Sequence, residues 1–97
     1  MSLRWPPKDP DETLDYTLSW AKELPRLNDE VFESSWRVEG VDATLLIETD
    51  GIHVGQDKTY VWLSGGTAGT TYAVINTIQT SQGRTYERTV NLQVKEK

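Results

Sequence analysis

The chain has no cysteine among its 97 residues. Without thiols it can form no disulfide, no thiolate zinc site and no cysteine nucleophile. It has one histidine, His53, which lacks the partner residues of a histidine metal cage or a Ser-His-Asp triad. His53 stands beside a predicted turn, and we expect it at the surface.

Long apolar runs are also missing, and none approaches the roughly 20 residues that a membrane-spanning helix needs. Residues 1–4 lead directly into Trp5, Pro6 and Pro7, without the apolar stretch of a secretory signal. We therefore expect a protein that folds in a cytoplasm and has no membrane partner. A single domain of this length has a modest core, and it depends on hydrophobic packing or on partners for stability.

Positive charge is scarce in the first part of the chain. Residues 1–57 carry five basic side chains against thirteen acids, whereas residues 58–97 carry five against two. The net charge of −5 argues against nonspecific binding to DNA, which requires a basic face. The uneven distribution would suit head-to-tail packing of copies, or it is scattered surface charge.

Apolar and polar side chains alternate along most of the chain. Such period-two alternation is typical of strands with one buried face. It predicts strands over residues 14–20, 31–38, 43–48, 52–54 and 59–63, and a hairpin within residues 70–94. Turn signals separate them: Asp50-Gly51 predicts a tight type I′ turn, and Ser81-Gln82-Gly83 predicts the turn of the last hairpin.

About seven short strands at this spacing predict an all-β fold. We expect one antiparallel β-sandwich of immunoglobulin or fibronectin-III type over residues 14–97, with a partly closed barrel as the alternative. Residues 1–13 predict an extended Pro-rich N-terminal arm. Residues 21–30 break the alternation, and Pro25, Asn28 and Asp29 favour a loop there.

Several side chains can be assigned to the interior from the alternation. Tyr72 follows a Gly-led corner, which predicts a core ring whose hydroxyl returns to the backbone of that corner. Trp36 is predicted as the large central core residue. The buried faces of the strands are predicted to include Phe32, Trp36 and Val38, and Ala43, Leu45 and Ile47.

Two polar residues also fall on inward faces. Asn76 needs hydrogen-bond partners there, which Arg88 or a loop backbone could supply. The stem of Arg88 is expected to pack at the sandwich edge while its head meets a carboxylate or solvent. Arg84 and Arg88 bracket Tyr86, and such interleaving can bind single-stranded nucleic acid, but the structural role is preferred.

The sequence offers no catalytic constellation and no cofactor site. In the cluster of Asp9, Asp11, Glu12 and Asp15, the first three lie in the Pro-rich arm and Asp15 just beyond it, without the fixed geometry that acid–base catalysis requires. The segment from residue 64 to 69 (SGGTAG) lacks the order of a phosphate-binding loop and no helix pattern follows it, so it predicts a corner between strands. We expect no enzyme, no cofactor and no metal.

The strongest functional signal comes from exposed aromatic residues. Tyr60 and Trp62 share the face opposite Val61 and Leu63, and such a pair is rarely left bare in solvent. It could be a sugar platform, or it could be covered by another chain or by an arm carrying Trp5. The predicted partner-binding residues are therefore Trp5, Tyr60 and Trp62.

Several motifs resemble a family of small bacteriophage proteins, the fibre–tail adaptors and related tail-structural proteins. The match lies in residues 7–12 (PKDPDE), 14–16 (LDY) with Trp20, 61–72 (VWLSGGTAGTTY) and 83–89 (GRTYERT), while residues 21–58 match only in strand rhythm. The resemblance implies a non-enzymatic immunoglobulin-like domain that assembles with other virion proteins, and it carries over no catalytic residues.

The sequence thus predicts a structural protein of a phage or prophage virion, acting at the tail or the fibre attachment. Its expected partners are other tail or fibre proteins, or further copies of itself, with no nucleic acid. Its expected location is the host bacterial cytoplasm during assembly and the virion afterwards. The alternatives are a carbohydrate- or surface-binding module that uses Trp62 and Tyr60, and an interaction domain outside phages.

Overall fold

The computed structural model describes residues 3–24 and 29–97. The predictions for Pro25 and Asn28 in the loop, and for residues 1 and 2 of the arm, lie outside the described part. Within it, seven strands form and no helix does. They are β1 (Leu3–Arg4), β2 (Leu14–Ser19), β3 (Val31–Glu39), β4 (Leu45–Ile52), β5 (Lys58–Gly65), β6 (Thr70–Thr80) and β7 (Thr85–Val94).

The strands form two sheets that pack face to face. One has four strands in the order β1-β7-β6-β3, and the other has three in the order β2-β5-β4. All neighbours are antiparallel except β1 and β7, which run parallel. The prediction of an all-β, two-layered fold with about seven strands is confirmed.

The core lies between the sheets in two adjoining clusters. One cluster centres on Tyr72 and Leu63, and the other on Trp20 and Ile78. The prediction that Trp36 is the large central core residue is wrong, because Trp36 is half-buried and packs against both clusters from their margin. Trp20, which is 1% exposed, is the large buried aromatic residue instead. Trp20 lies just beyond β2, where the chain turns under the sandwich end and encloses its ring.

A buried amide joins the two sheets. Asn76 on β6 is fully buried, and its Oδ1 accepts hydrogen bonds from Trp20 Nε1 at 3.1 Å and Thr59 Oγ1 at 2.7 Å. Its Nδ2 donates to Ser34 Oγ and to the carbonyl of Ser35. These groups satisfy Asn76 in place of Arg88, which lies opposite it on β7 but turns to the sandwich edge.

The predicted type I′ turn at Asp50-Gly51 is wrong. Both residues lie within β4, which joins the two strands predicted at 43–48 and 52–54, and Gly51 pairs with Tyr60. The chain reverses four residues later, where the amide of Gln56 donates to the carbonyl of His53 at 2.9 Å. Gly55 and Gln56 supply the positive φ values of that turn.

Two assignments to the buried faces also fail. The register of β3 shifts between Val31 and Glu33, so Val31 is buried and Phe32 is 64% exposed. A bulge adds one residue to a strand, which reverses the facing of the residues beyond it. Ala43 precedes β4 and is exposed, although Leu45 and Ile47 face inward as predicted.

The corner before β6 behaves as predicted. The ring of Tyr72 is fully buried, and its hydroxyl accepts a hydrogen bond from the backbone N–H of Thr67 at 2.9 Å. The same hydroxyl donates to Asp42 Oδ1 at 2.8 Å. The hydrogen bonds from Tyr72 and Thr44 lower the pKa of Asp42 to about 2.

The N-terminal segment runs along β7. After β1, the amide of Trp5 donates to the carbonyl of Asn91, and the amide of Lys8 donates to that of Gln93. The side chain of Lys8 is fully buried, and its Nζ donates to the carbonyl of Gly65 at 2.6 Å. Burial lowers the pKa of Lys8, against the opposing effect of Glu12 and other nearby carboxylates. This contact fastens the segment to the end of β5.

Candidate partner-binding surface

The two outer faces of the sandwich differ in chemistry. The outward residues of β6 and β7 are mostly threonine and glutamine, with Glu87 as a charged side chain among them. Arg37 crosses this face and pairs with Glu39 at 3.4 Å and with Glu87 at 3.3 Å. Phe32 stands at one end of the edge strand β3, apart from these ion pairs. This face is therefore largely polar and has its own ionic contacts.

The outer face of the three-stranded sheet carries the predicted aromatic pair. Trp62 is 38% exposed and Tyr60 is half-buried, and both lie on the central strand β5. Val61 and Leu63 face the core and are fully buried, as the alternation predicted. In the register of β2, Asp15 lies opposite Trp62 and Thr17 lies opposite Tyr60.

Gly51 explains how the Tyr60 ring is held. A Cβ atom at position 51 would lie 2.6 Å from Tyr60 Cζ, so the ring occupies the space that a side chain would fill. The ring of His53 lies 5.1 Å from that of Tyr60 and is tilted by 55°. An aromatic residue across from a glycine covers exposed strand backbone. The Tyr60 ring therefore lies against the backbone of Gly51 and beside His53 within the chain.

An open groove forms between these aromatic side chains and the end of β4. It is lined by Asp15, Ile52, His53, Val54, Tyr60 and Trp62. Val54 is fully exposed at the loop that closes the groove. The groove combines the rings of Tyr60 and Trp62, the imidazole of His53, two aliphatic side chains and one carboxylate. Such a mixture suits the binding of a side chain that is both apolar and polar.

Trp5, the third predicted site residue, lies elsewhere. Its ring stacks on Tyr16 with 4.6 Å between centroids and lies 5.9 Å from Trp36. Because Tyr16 points inward from β2, the sheet separates Trp5 from the outward pair. The alternative that Trp5 covers Tyr60 and Trp62 is therefore wrong in this arrangement. The contact between Trp5 and Tyr16 lies within one chain. Burial raises the pKa of Tyr16 to about 12.

The two arginines that bracket Tyr86 are both engaged within the chain. Arg84 pairs with Asp29 at 2.8 Å, and Arg88 pairs with Glu23 at 2.8 Å. Arg88 also lies 4.2 Å above the ring of Trp20. The sequence predicted that its head would meet a carboxylate or solvent, and it meets the carboxylate of Glu23.

Sequence reasoning missed the role of Asp29. Its side chain is fully buried, and it accepts hydrogen bonds from Ser81, from the amide of Gln82 and from Arg84. Burial opposes its ionisation, but hydrogen bonds from Thr80, Arg84 and others lower its pKa below the ordinary value. An acid in a loop gives no local signal of such burial, because apart from the amide of the adjacent Glu30 these partners lie more than fifty positions away.

The described residues offer little for other chemistry. They contain no group of three or more His, Asp or Glu side chains placed to hold a metal ion. No helix in the described ranges has the length and apolar character to cross a membrane. His53 is exposed beside Tyr60, as expected. The described residues form two packed sheets with a groove beside aromatic side chains on one outer face.

Comparison with known protein families identifies the class more closely. Residues 8–93 match the family described as "Podophage GP4 fiber-tail adaptor protein gp77". The match covers most of the chain, and the chain belongs to this family. The prediction of a small phage tail or fibre-adaptor family is confirmed. The protein is a structural component of a phage virion at the attachment of fibre and tail. A comparison with curated proteins found no match.

Proposed function

We propose that this protein joins other tail or fibre proteins through the outer face of its three-stranded sheet. The observation that carries the proposal is the pair formed by Tyr60 and Trp62, which points away from the core on a preorganised strand. Aromatic side chains that stand together at a surface are typical anchors of protein interfaces. The opposite face is largely polar, and its Arg37 already pairs with Glu39 and Glu87.

The proposed fold type is an immunoglobulin-like sandwich preceded by an arm at residues 1–13. In the immunoglobulin arrangement, one sheet contains strands B, E and D and the other contains G, F and C. The orders β2-β5-β4 and β7-β6-β3 fit those two sheets. The hydrogen bond from the Thr67 amide to Tyr72 supports the same assignment, since it has the form of a tyrosine corner.

In this proposal Trp5 contributes indirectly. Its stacking on Tyr16 holds the arm against the domain in the same chain, which supports β2 from the inner side. Asp15 and Thr17, the neighbours of Tyr16, then present their side chains to the outer face. The protein acts by binding and not by catalysis, and it assembles in the host cytoplasm before it is part of the virion.

The experiment compares particles assembled with three versions of the protein: wild type, Trp62→Ala and Phe32→Ala. Phe32 is a matched control, because it is an aromatic side chain with 64% exposure on the other sheet. We expect Trp62→Ala to be lost from purified particles while Phe32→Ala is retained. Both variants should keep the wild-type circular dichroism spectrum, because neither side chain is buried.

Incorporation of Trp62→Ala at the wild-type level would contradict the proposed surface. A carbohydrate-binding module is the second candidate, because a groove with Trp62, Tyr60, Asp15 and His53 offers both stacking and polar groups. Binding to a glycan array that disappears in Trp62→Ala, together with normal incorporation into particles, would favour that candidate.

A further inference from the structure

We propose that the groove beside Trp62 receives a basic side chain, arginine or lysine, from the neighbouring virion protein. This inference rests on the proposed function and specifies the chemistry of the partner at that surface. It follows from three observations. An unpaired carboxylate lies next to an exposed indole, an arginine elsewhere in the chain is held by an indole and a carboxylate, and acidic side chains outnumber basic ones in the part of the chain that includes β2 and β4.

The carboxylate is that of Asp15, which is exposed and lines the groove beside Trp62. Asp15 and Trp62 are direct partners across β2 and β5. Side chains directly opposite on antiparallel strands have Cβ atoms about 5 Å apart. Within the described ranges, Asp15 takes part in no ion pair and no side-chain hydrogen bond. The groove thus presents a negative charge and an aromatic face to the same space.

The same chain uses this combination to hold an arginine. The guanidinium of Arg88 lies 4.2 Å from the centroid of Trp20, donates to Glu23 at 2.8 Å and also donates to the carbonyl of Ser19. A cation over an indole gains about 0.5–1 kcal/mol at exposed sites. In this example the carboxylate follows the indole by three positions in the turn after β2, and the two groups together hold a guanidinium. Asp15 and Trp62 bring the same two groups together across a strand pair.

The charge near the groove favours a basic occupant. Along the outward side of β5, Lys58 precedes Tyr60, but its ammonium lies 3.8 Å from Asp57. At the other end of the same side, Glu48 accepts a hydrogen bond from Ser64. Residues 1–57, which include β2 and the acids of β4, carry thirteen acidic side chains against five basic ones. An approaching cation is attracted by this distribution, and an acidic segment is repelled.

The aliphatic side chains of the groove suit the stem of the same residue. Ile52 and Val54 line it at the end of β4. Arginine and lysine have three or four methylene groups that pack on apolar surface while the head group reaches a charge. A basic side chain would use the rings, the aliphatic wall and the carboxylate together. A purely apolar side chain would leave Asp15 beside it without a partner.

The test reverses the charge in assembled particles. Asp15→Lys should be excluded from particles, and Asp15→Asn should be incorporated at a reduced level. Glu33→Lys is the matched control, since Glu33 is an exposed acid of β3 with no ion pair among the described contacts. It should be incorporated normally. Circular dichroism and thermal melting should show that the three variants fold as the wild type does.

Binding of small probes supplies a second measurement on the purified full chain. The Trp62 indole N–H resonance should shift on titration with N-acetyl-argininamide. It should shift much less with the neutral isostere N-acetyl-citrullinamide. Asp15→Asn should lower the affinity for N-acetyl-argininamide by a factor of about 2–5. This factor corresponds to an exposed ion pair that contributes up to about 1 kcal/mol.

The outcomes separate this inference from the proposed function. Normal incorporation of Asp15→Lys with exclusion of Trp62→Ala would overturn the basic occupant and leave the docking surface standing. Equal shifts with both probes would also overturn it. Normal incorporation of Trp62→Ala would overturn the docking surface itself, whatever the small probes do.

Discussion

Replacing Asn76 by alanine should destabilise the protein far more than the loss of one amide would suggest. The substitution leaves two donors without an acceptor, Trp20 Nε1 and Thr59 Oγ1, in residues that are 1% and 0% exposed. A buried donor without a partner costs about 1–3 kcal/mol, so the two together should cost about 2–6 kcal/mol. The free energy of unfolding of a small domain is about 5–15 kcal/mol in total, so this loss would be a large part of it.

The loss can be measured by thermal and denaturant unfolding. For a domain of this size, each kcal/mol lowers the melting temperature by about 4–8 °C, so Asn76→Ala should melt at least about 8 °C below the wild type. Asn76→Leu restores much of the volume but not the acceptor, and it should recover little of the loss. Asn91→Ala is the control, because Asn91 lies outward on β7 with no side-chain hydrogen bond among the described contacts.

The reasoning fails if the free energy of unfolding of Asn76→Ala lies within about 1 kcal/mol of the wild-type value. It also fails if Asn91→Ala is equally destabilised, since the effect would then not come from the buried donors. A result in which Asn76→Leu is as stable as the wild type would show that packing, and not hydrogen bonding, determines the cost.

Two further predictions concern the tyrosines. Gly51→Ala should destabilise the fold by about 1–3 kcal/mol, because a Cβ atom there meets the Tyr60 ring. The loss of stability should largely disappear when Tyr60 is also replaced by alanine. A loss that persists in the double variant would show that it does not come from the Tyr60 ring. The folded-state pKa of Asp42 is lowered to about 2 from an ordinary value of 3.8. Its contribution is therefore complete above about pH 4 and lost as the pH falls toward 2. The melting temperature of Asp42→Asn should vary less than that of the wild type across this window, whereas Asp50→Asn should follow the wild-type curve.

The sequence predicted those parts of the fold that depend on local alternation. An alternation with a period of two along β5 predicts that Val61 and Leu63 point inward. It also predicts that Tyr60 and Trp62 point outward, and these two residues form the centre of the candidate surface. The return of the Tyr72 hydroxyl to the preceding corner was also predictable, because a Gly-led turn before an inward tyrosine is a recurring local motif. In both cases the determining residues are close in the chain.

The failures share the opposite property. Asp50-Gly51 has the composition of a turn, but Gly51 is needed to make room for the Tyr60 ring on the next strand. The bulge that exposes Phe32 depends on pairing with β6, forty or more positions away. The burial of Lys8 depends on the carbonyl of Gly65. No local pattern reports contacts over such distances, so the arm and the edges of the sheets were the least predictable parts.

The contact between Lys8 and Gly65 brings the end of the N-terminal segment and the last residues of the chain together at one pole of the molecule. The amide of Lys95 donates to the carbonyl of Lys8, and that of Lys97 donates to Asp9 Oδ2. The His53–Gln56 turn lies at the other end of β5, roughly 23 Å along the strand. A fluorophore, an affinity tag or a linker attached at Lys97 would therefore leave the far pole free for a neighbouring protein.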